Sequence, residues 1–403
     1  MNNKNTSNGP LEGIRVLELG QLIAGPFTGS ILGYFGAEVI KVEQPGTGDA
    51  IRKWRMMDGD TSVWWASMAR NKKCITANLR TKEGVDIVRK LADQSDVLIE
   101  NFRPGAMEKW GLGPDELRAT NPGLIYARVS GYGQDGPNSS KLGYASVCEG
   151  YGGFRYLNGF PDRPPVRPNL SIGDTLAALH AALGITMACV RKLNDSQSRG
   201  QVIDVAIYEA VFNLMESVVP EYDFSGEVRE CSGSTLTGIV PTNTYRCSDG
   251  KDVIIGANGD SIFKRLTVAM GQPEMGEDPR FADNAGRVEH EPEIDAKIAE
   301  WMTAMTGDEA LQILEDAEVP SGPIYSVADM FADEHYQARG LFEEVESNGK
   351  PLKIPAILPK LGDTPGKTRW PGPALGAHTN EVLGELLGMS ADDIDKLKET
   401  GAI

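Results

Sequence analysis

Several things this 403-residue sequence lacks narrow what it can be. It has no CxxC spacing, no Walker A loop and no G-x-S-x-G, which removes the common signatures of zinc or redox sites, P-loop nucleotide chemistry and serine hydrolases. Its four histidines, His180, His290, His335 and His378, stand far apart, so a catalytic triad or a metal centre is poorly served and no metal site is expected. Five cysteines, Cys74, Cys148, Cys189, Cys231 and Cys247, are odd in number and suit reduced thiols in the cytoplasm better than a disulfide framework. No run of eighteen apolar residues occurs, so a membrane span is not expected. Met1 to Pro10 is polar, without the apolar stretch of a secretion signal, and reads as a disordered lead-in. Internal repeats and low-complexity segments are also absent.

Charge is present but one-sided. The net charge of −17 argues against nucleic acid as a partner. Residues 1–130 carry 17 Lys and Arg against 15 Asp and Glu, and the remainder carries 23 against 42, so an anionic small molecule is drawn to the N-terminal part.

Strands and helices alternate over the first 210 residues. Ile14 to Leu19 is a β-rich run broken by Ala24-Gly25-Pro26. Phe27 to Phe35 then has helical spacing, and Glu38 to Glu43 is a second strand. Further strands are predicted at Cys74–Asn78, Val97–Glu100, Leu124–Ser130 and Val202–Ala206. Helices are predicted at Thr81–Ser95, Gly113–Asn121, Thr175–Lys192 and onward from Tyr208. This alternation predicts an α/β fold with a mainly parallel sheet covered on both faces. Past Phe224 the texture changes to a hairpin, Asn243–Cys247 with Val253–Ala257 turning at Ser248-Asp249-Gly250. Two acidic amphipathic helices follow near Pro292–Met305 and Asp308–Ala317. The predicted organisation is a large domain over 1–224, a smaller α+β domain over 225–327, and a C-terminal segment over 328–403, helical and Pro-rich, ending in a helix at Thr379–Leu387 and the tail Ala391–Thr400.

One formal G-x-G-x-x-G occurs, at Gly131, Gly133 and Gly136. Pro137-Asn138-Ser139-Ser140 follows it instead of an apolar helix, so there is no helix N-terminus to seat a pyrophosphate. The glycines read as hinges that let a long loop, Gly131 to Gly173, bend over a ligand. With histidine and cysteine chemistry poorly supported, the carboxylates remain. Asp174 stands where that loop enters a helix with the apolar stripe Leu176, Leu179, Leu183, Met187 and Val190. The residue types alone allow two roles: an N-cap, or a nucleophile whose ionised form the helix N-terminus favours.

The particular residues say more. "AGP" after the first strand and "GAEVIKVE" followed by "GTGD" resemble the class III CoA-transferases, a family that includes carnitine CoA-transferase, formyl-CoA transferase and the α-methylacyl-CoA racemases. The resemblance runs through most of the chain. It implies a Rossmann-like large domain and an interlocked, ring-like homodimer. It makes Asp174, in Gly173-Asp174-Thr175, the acylated nucleophile. Ile23 and Ala24 match the turn beside the coenzyme. Arg70-Asn71-Lys72-Lys73 with Ala77-Asn78-Leu79-Arg80 matches the strand along the nucleotide and its basic loop. Asn101-Phe102-Arg103-Pro104-Gly105 matches the family's "ENF.PG" turn, with Lys109 where a basic residue meets phosphate. Ala77, Leu79, Arg80, Asn101, Phe102, Arg103 and Lys109 are thereby expected CoA contacts, the cations suiting phosphate.

Gln44 stands where formyl-CoA transferase has an arginine, and Gly233 to Gly238 loosely echoes the loop that shields the intermediate there. Tyr144, in Leu142-Gly143-Tyr144-Ala145, replaces the histidine that the racemase branch uses as a second proton shuttle. A neutral phenol serves that role poorly, so transfer is preferred over racemisation, and Tyr144 joins the expected CoA-side residues. A non-catalytic CoA-binding subunit is the other alternative. The resemblance implies no resident cofactor, only CoA thioesters and a free acid as substrates. Arg155, Arg163 and Arg167, in the loop before Asp174, suggest a dicarboxylate such as succinate, one of them taking the second carboxylate; salt pairing at the surface is the competing role.

Overall fold

The structure, a computed structural model, describes residues 9–403; most of the lead-in Met1–Pro10 therefore lies outside the described residues. The chain divides into two compact units. One comprises the chain through Phe154, then Pro168–Val219 and Gln337–Ile403; the other comprises Arg155–Arg167 and Pro220–Tyr336. The sequence pattern instead places the smaller domain at 225–327 and 155–167 with the large one.

The first unit is built on six parallel strands: β1 (Arg15–Glu18), β2 (Glu38–Glu43), β3 (Lys72–Thr76), β4 (Val97–Glu100), β5 (Ile125–Ser130) and β6 (Val202–Ala206). Their spatial order is β3-β2-β1-β4-β5-β6, every pair in parallel register. This is the doubly wound order, in which the direction of winding reverses between β1 and β4. Alternate strand residues feed opposite faces. Leu17, Ile40, Ile75, Leu98 and Tyr126 meet α2 (Lys82–Asp93) and two C-terminal helices, Thr379–Leu387 and Ala391–Glu399. Val16, Val39, Val97 and Ile125 meet α1 (Ala24–Tyr34) and a 23-residue helix, Ile172–Asn194.

Helix α1 starts earlier than predicted. Ala24-Gly25-Pro26 is its first turn, where proline's missing N–H costs nothing because those donors have no intrahelical acceptor. The long helix is α4; α3 (Ala145–Tyr151) and α5 (Ile207–Phe212) pack on it. By length and composition α4 could cross a membrane, a test that a core helix also passes, and here it covers the sheet. Its orientation is also unexpected. Ala177, Ala178, Ala181, Ala182, Ile185 and Ala188 face inward, while Leu179, Leu183, Met187, Val190 and Leu193 face outward, Leu193 being 83% exposed. Small side chains let α4 lie close on α1, where the Thr28 hydroxyl reaches the Ala178 carbonyl at 3.4 Å.

The chain after 328 is not wholly helical: β7 (Phe342–Ser347) and β8 (Lys350–Pro355) form an antiparallel hairpin. Tyr34 donates to Glu343 at 3.0 Å and Arg70 to the Pro355 carbonyl at 2.7 Å, fastening it to the first unit.

In the second unit, strands Thr242–Arg246, Asp252–Gly256 and Ser321–Pro323 make an antiparallel sheet, the first two forming the predicted hairpin. Helices Glu291–Met302 and Gly307–Asp316 cover it around Phe263, Leu266, Ile298 and Leu314.

Candidate active site

Because all six strands are parallel, the segments after β1, β3, β4 and β5 emerge at one edge of the sheet, and α4 begins there to run back toward β6. The sequence-predicted residues collect on this edge. Ile23 and Ala24 follow β1; Ala77, Leu79 and Arg80 follow β3; Asn101, Phe102 and Arg103 follow β4. Lys109 closes a single helical turn, Ala106–Lys109, entered through Gly105 at φ 82°, a left-handed conformation that suits glycine. Tyr144 precedes α3 and is 71% exposed. Asp174 sits in the first turn of α4.

The contacts show which of these meet. Ala24, Ala145, Cys148, Ala177 and Ile207 share one buried cluster, so the turn after β1, the start of α3 and the first turns of α4 and α5 converge. Gln21 and Asn101 exchange two hydrogen bonds across the reversal point of the sheet. Leu79 and Phe102 both pack on the cluster under α2, with Phe102 edge-on to Trp110 at 5.2 Å. Ala77 donates its N–H to the Glu43 carbonyl, tying the end of β3 to that of β2. Arg80, Arg103 and Lys109 are exposed cations along this edge.

The basic loop lies apart from these segments. Arg70 to Lys73 lies at the opposite edge, where β3 begins, and its cations are engaged. Arg70 stands 3.5 Å from Glu343, Lys72 is 2.8 Å from Glu18, and Lys73 bridges Glu38 and Glu381. Of the three arginines before Asp174, all belong to the second unit; Arg163 lies 3.8 Å from Asp162 and over the Phe160 ring.

Asp174 is not the N-cap. Ser171 holds that position, two residues before the buried Gly173 and three before Asp174, and its side chain makes no capping bond. A carboxylate in the first turn of a 23-residue helix is favoured in its ionised form by the helix dipole, the form a nucleophile requires. The nearby Cys148 thiol is pushed up to about 11 by burial and by the charges of Asp174 and Glu149, which keeps it protonated and unreactive.

The turn after β1 is held from beneath by a group of buried charges that the sequence reading did not single out. Lys41 Nζ lies 3.0 Å from Glu18 and 2.9 Å from Asp49, and donates to the Gly20 carbonyl at 2.8 Å. Lys72 reaches both Glu18 and the Pro26 carbonyl, and Asp49 accepts the Leu22 N–H at 3.0 Å. Arg52 pairs with Glu43 and stacks over Trp65 at 3.7 Å. Burial pulls the Lys41 ammonium down, but Asp49, Glu18 and Glu43 outweigh it and hold it above the usual lysine range. Three cations and three carboxylates thus cancel inside the fold. The available signal was charge within β2, a strand whose position between two others forces any ionised side chain to find a partner. Gly29 in α1 leaves the room: a Cβ there would stand 1.9 Å from Glu18 Oε2.

Comparisons with known proteins place the chain in a family. Residues 11–379 match the model of CoA-transferase family III. The chain is 48% identical over 391 residues to a succinyl-CoA–D-citramalate CoA-transferase of Chloroflexus aurantiacus, covering 96% of this chain and 97% of the relative. It is 34% identical to a succinate–glutarate CoA-transferase of Agrobacterium fabrum, with 94% and 96% covered. Among solved structures, a CAIB/BAIF family protein from Brucella suis aligns with a TM-score of 0.81 at 34% identity, covering 94% of this chain and all of that one. The chain belongs to CoA-transferase family III.

Proposed function

We propose that this protein moves CoA from succinyl-CoA to a free four- or five-carbon dicarboxylate, with Asp174 as the nucleophile. The observation that carries the assignment is the seat of Asp174: a carboxylate in the first turn of α4, beside the turn after β1. The dicarboxylate follows from the relatives, one named for succinyl-CoA and D-citramalate and another for succinate and glutarate.

The steps balance with Asp174 and the two substrates alone. A carboxylate oxygen of Asp174 attacks the donor thioester carbonyl and expels CoA thiolate, leaving a mixed anhydride. The thiolate attacks the aspartyl carbonyl, the donor acid departs, and an aspartyl-CoA thioester remains. The acceptor carboxylate attacks that thioester and releases thiolate again. Attack of the thiolate on the acceptor's acyl carbonyl then yields the new acyl-CoA and restores Asp174. The turns holding Ile23, Ala24, Ala77, Leu79, Asn101 and Phe102 are the proposed walls of the CoA site, with Arg80, Arg103 and Lys109 facing its phosphates and Tyr144 at its mouth.

The proposed working form is a homodimer in the cytoplasm. The outward apolar ridge of α4, Leu179 to Leu193, supports a second copy as its cover, and five unpaired cysteines fit a reducing compartment. Incubation with succinyl-CoA and no acceptor, followed by hydroxylamine, is expected to convert Asp174 to the hydroxamate on the peptide holding Gly173-Asp174-Thr175, and Asp174→Asn is expected to abolish both the mark and turnover. Turnover without any mark at Asp174 would refute the covalent route. Deuterium uptake at the α-carbon of a branched acyl-CoA without acceptor would point to racemisation.

A further inference from the structure

Ser171-Ile172-Gly173-Asp174 has the pattern of a capping box, in which the N-cap hydroxyl takes the N3 N–H and the N3 carboxylate folds back onto the N-cap N–H. Two other segments of this chain with that pattern form it: Thr306 with Glu309, and Ser326 with Asp329, each exchange both bonds. At Ser171 no box forms, because its side chain makes no capping bond.

An adjacent donor of this turn is met instead from another helix. Glu149 of α3, fully buried, sets Oε1 3.4 Å from the Gly173 nitrogen, a long but directed bond to the residue just before Asp174. A polar group this deeply buried needs partners, and one of those Glu149 meets is the N–H of a helix N-terminus. Gly173 permits the approach. A Cβ on it would lie 3.1 Å from Ile207 Cγ2, so that methyl would have to give by a few tenths of an ångström, and in ordinary contact with the Ala145 Cβ at 3.4 Å.

We infer that Glu149 is a positioning residue for Asp174: it takes the Gly173 N–H from a neighbouring helix and fixes the first turn of α4 without a local capping box. Anchoring from α3 orders the turn that carries Asp174 through a contact made outside α4 itself. This rests on the transferase reading above and adds to it the device that presents the nucleophile.

The test is the rate at which succinyl-CoA, without acceptor, makes Asp174 trappable by hydroxylamine, measured beside kcat, KM and thermal melting. Glu149→Ala is expected to slow labelling about 10²-fold with KM for succinyl-CoA changed less than about twofold, the signature of a misplaced reacting group. Glu149→Gln keeps an acceptor oxygen and is expected to recover labelling to within about fivefold of wild type. Gly173→Ala, which leaves both carboxylates in place, is expected to slow labelling as well, and adding Ile207→Ala to relieve the clash is expected to restore it. Should Glu149→Ala not fold, this Gly173 and Ile207 pair decides the matter on the same readout. Labelling at the wild-type rate in Glu149→Ala, or in Gly173→Ala, would overturn the inference while leaving the transferase reading intact. Wild-type protein that turns over without a mark at Asp174 would overturn both.

Discussion

Gln21 and Asn101 are joined by a reciprocal pair of hydrogen bonds, the Gln21 N–H to Asn101 Oδ1 at 2.7 Å and Asn101 Nδ2 to the Gln21 carbonyl at 2.8 Å. The pair ties the turn after β1 to the turn after β4, between which the winding of the sheet reverses and where ligands of doubly wound folds bind. Asn101→Ala breaks both bonds, each worth about 1 kcal/mol. It is expected to raise KM for the acyl-CoA about tenfold while kcat moves less. Asn101→Asp keeps the acceptor and loses the donor, so its KM is expected to fall between the two. Steady-state kinetics with acyl-CoA varied checks this; an unchanged KM in Asn101→Ala would mean the turns are held by other contacts.

Lys41 compensates two buried carboxylates at once. Lys41→Met leaves Glu18 and Asp49 without that cation and is expected to cost about 3–5 kcal/mol in urea unfolding. Lys350→Ala removes an exposed partner of Asp58, 3.1 Å away, and is expected to cost far less. Equal losses in the two variants would show that the buried group is not a stabilising unit.

Glu100 sets a pH dependence. Burial pushes its carboxyl from 4.5 up to about 7, even with Arg128 2.8 Å away. The folded chain therefore holds a proton that the unfolded chain releases, so this group's contribution to stability falls as pH rises from about 4.5 to about 7 and is level above that. Glu100→Gln keeps a side-chain oxygen for the Phe102 N–H, now accepted at 2.7 Å, and removes the titration. Relative to wild type, the variant is expected to gain stability between about pH 5 and pH 8 in urea midpoints. A difference that stays constant with pH would count against the assignment.

Arg103 and Lys109 are exposed cations beside the proposed phosphate path. Arg103→Ala and Lys109→Ala are expected to raise KM for the acyl-CoA and leave KM for the acid nearly unchanged. Added salt is expected to weaken acyl-CoA binding more in wild type than in either variant, since screening removes an attraction that the variants already lack. A rise in KM for the acid instead would place these residues along the acceptor path.

Local pattern determined much of this protein. Val97–Glu100, Val202–Ala206 and Thr379–Leu387 are read to the residue from apolar runs and their punctuation, and strand–helix alternation alone implies the parallel sheet. The approach of a Gly-rich loop to an apolar helix likewise locates Asp174 at a helix start. Tertiary structure decided the rest. Which face of α4 is buried is not readable from hydrophobicity, because close approach to α1 selects the alanines and leaves the larger leucines outside. The partners of the cations at 70, 72 and 73 are not readable locally; only the fold brings Glu343, Glu18, Glu38 and Glu381 against them. The hairpin at Phe342–Pro355 has a polar, half-buried alternation whose partners lie some three hundred residues earlier, at Tyr34 and Arg70. Glu149 carries no local sign of its bond to Gly173. Local pattern reports what a segment prefers over a turn or two of chain; pairing of charges, choice of helix face and capping from a neighbouring helix depend on contacts that exist only once distant segments have packed.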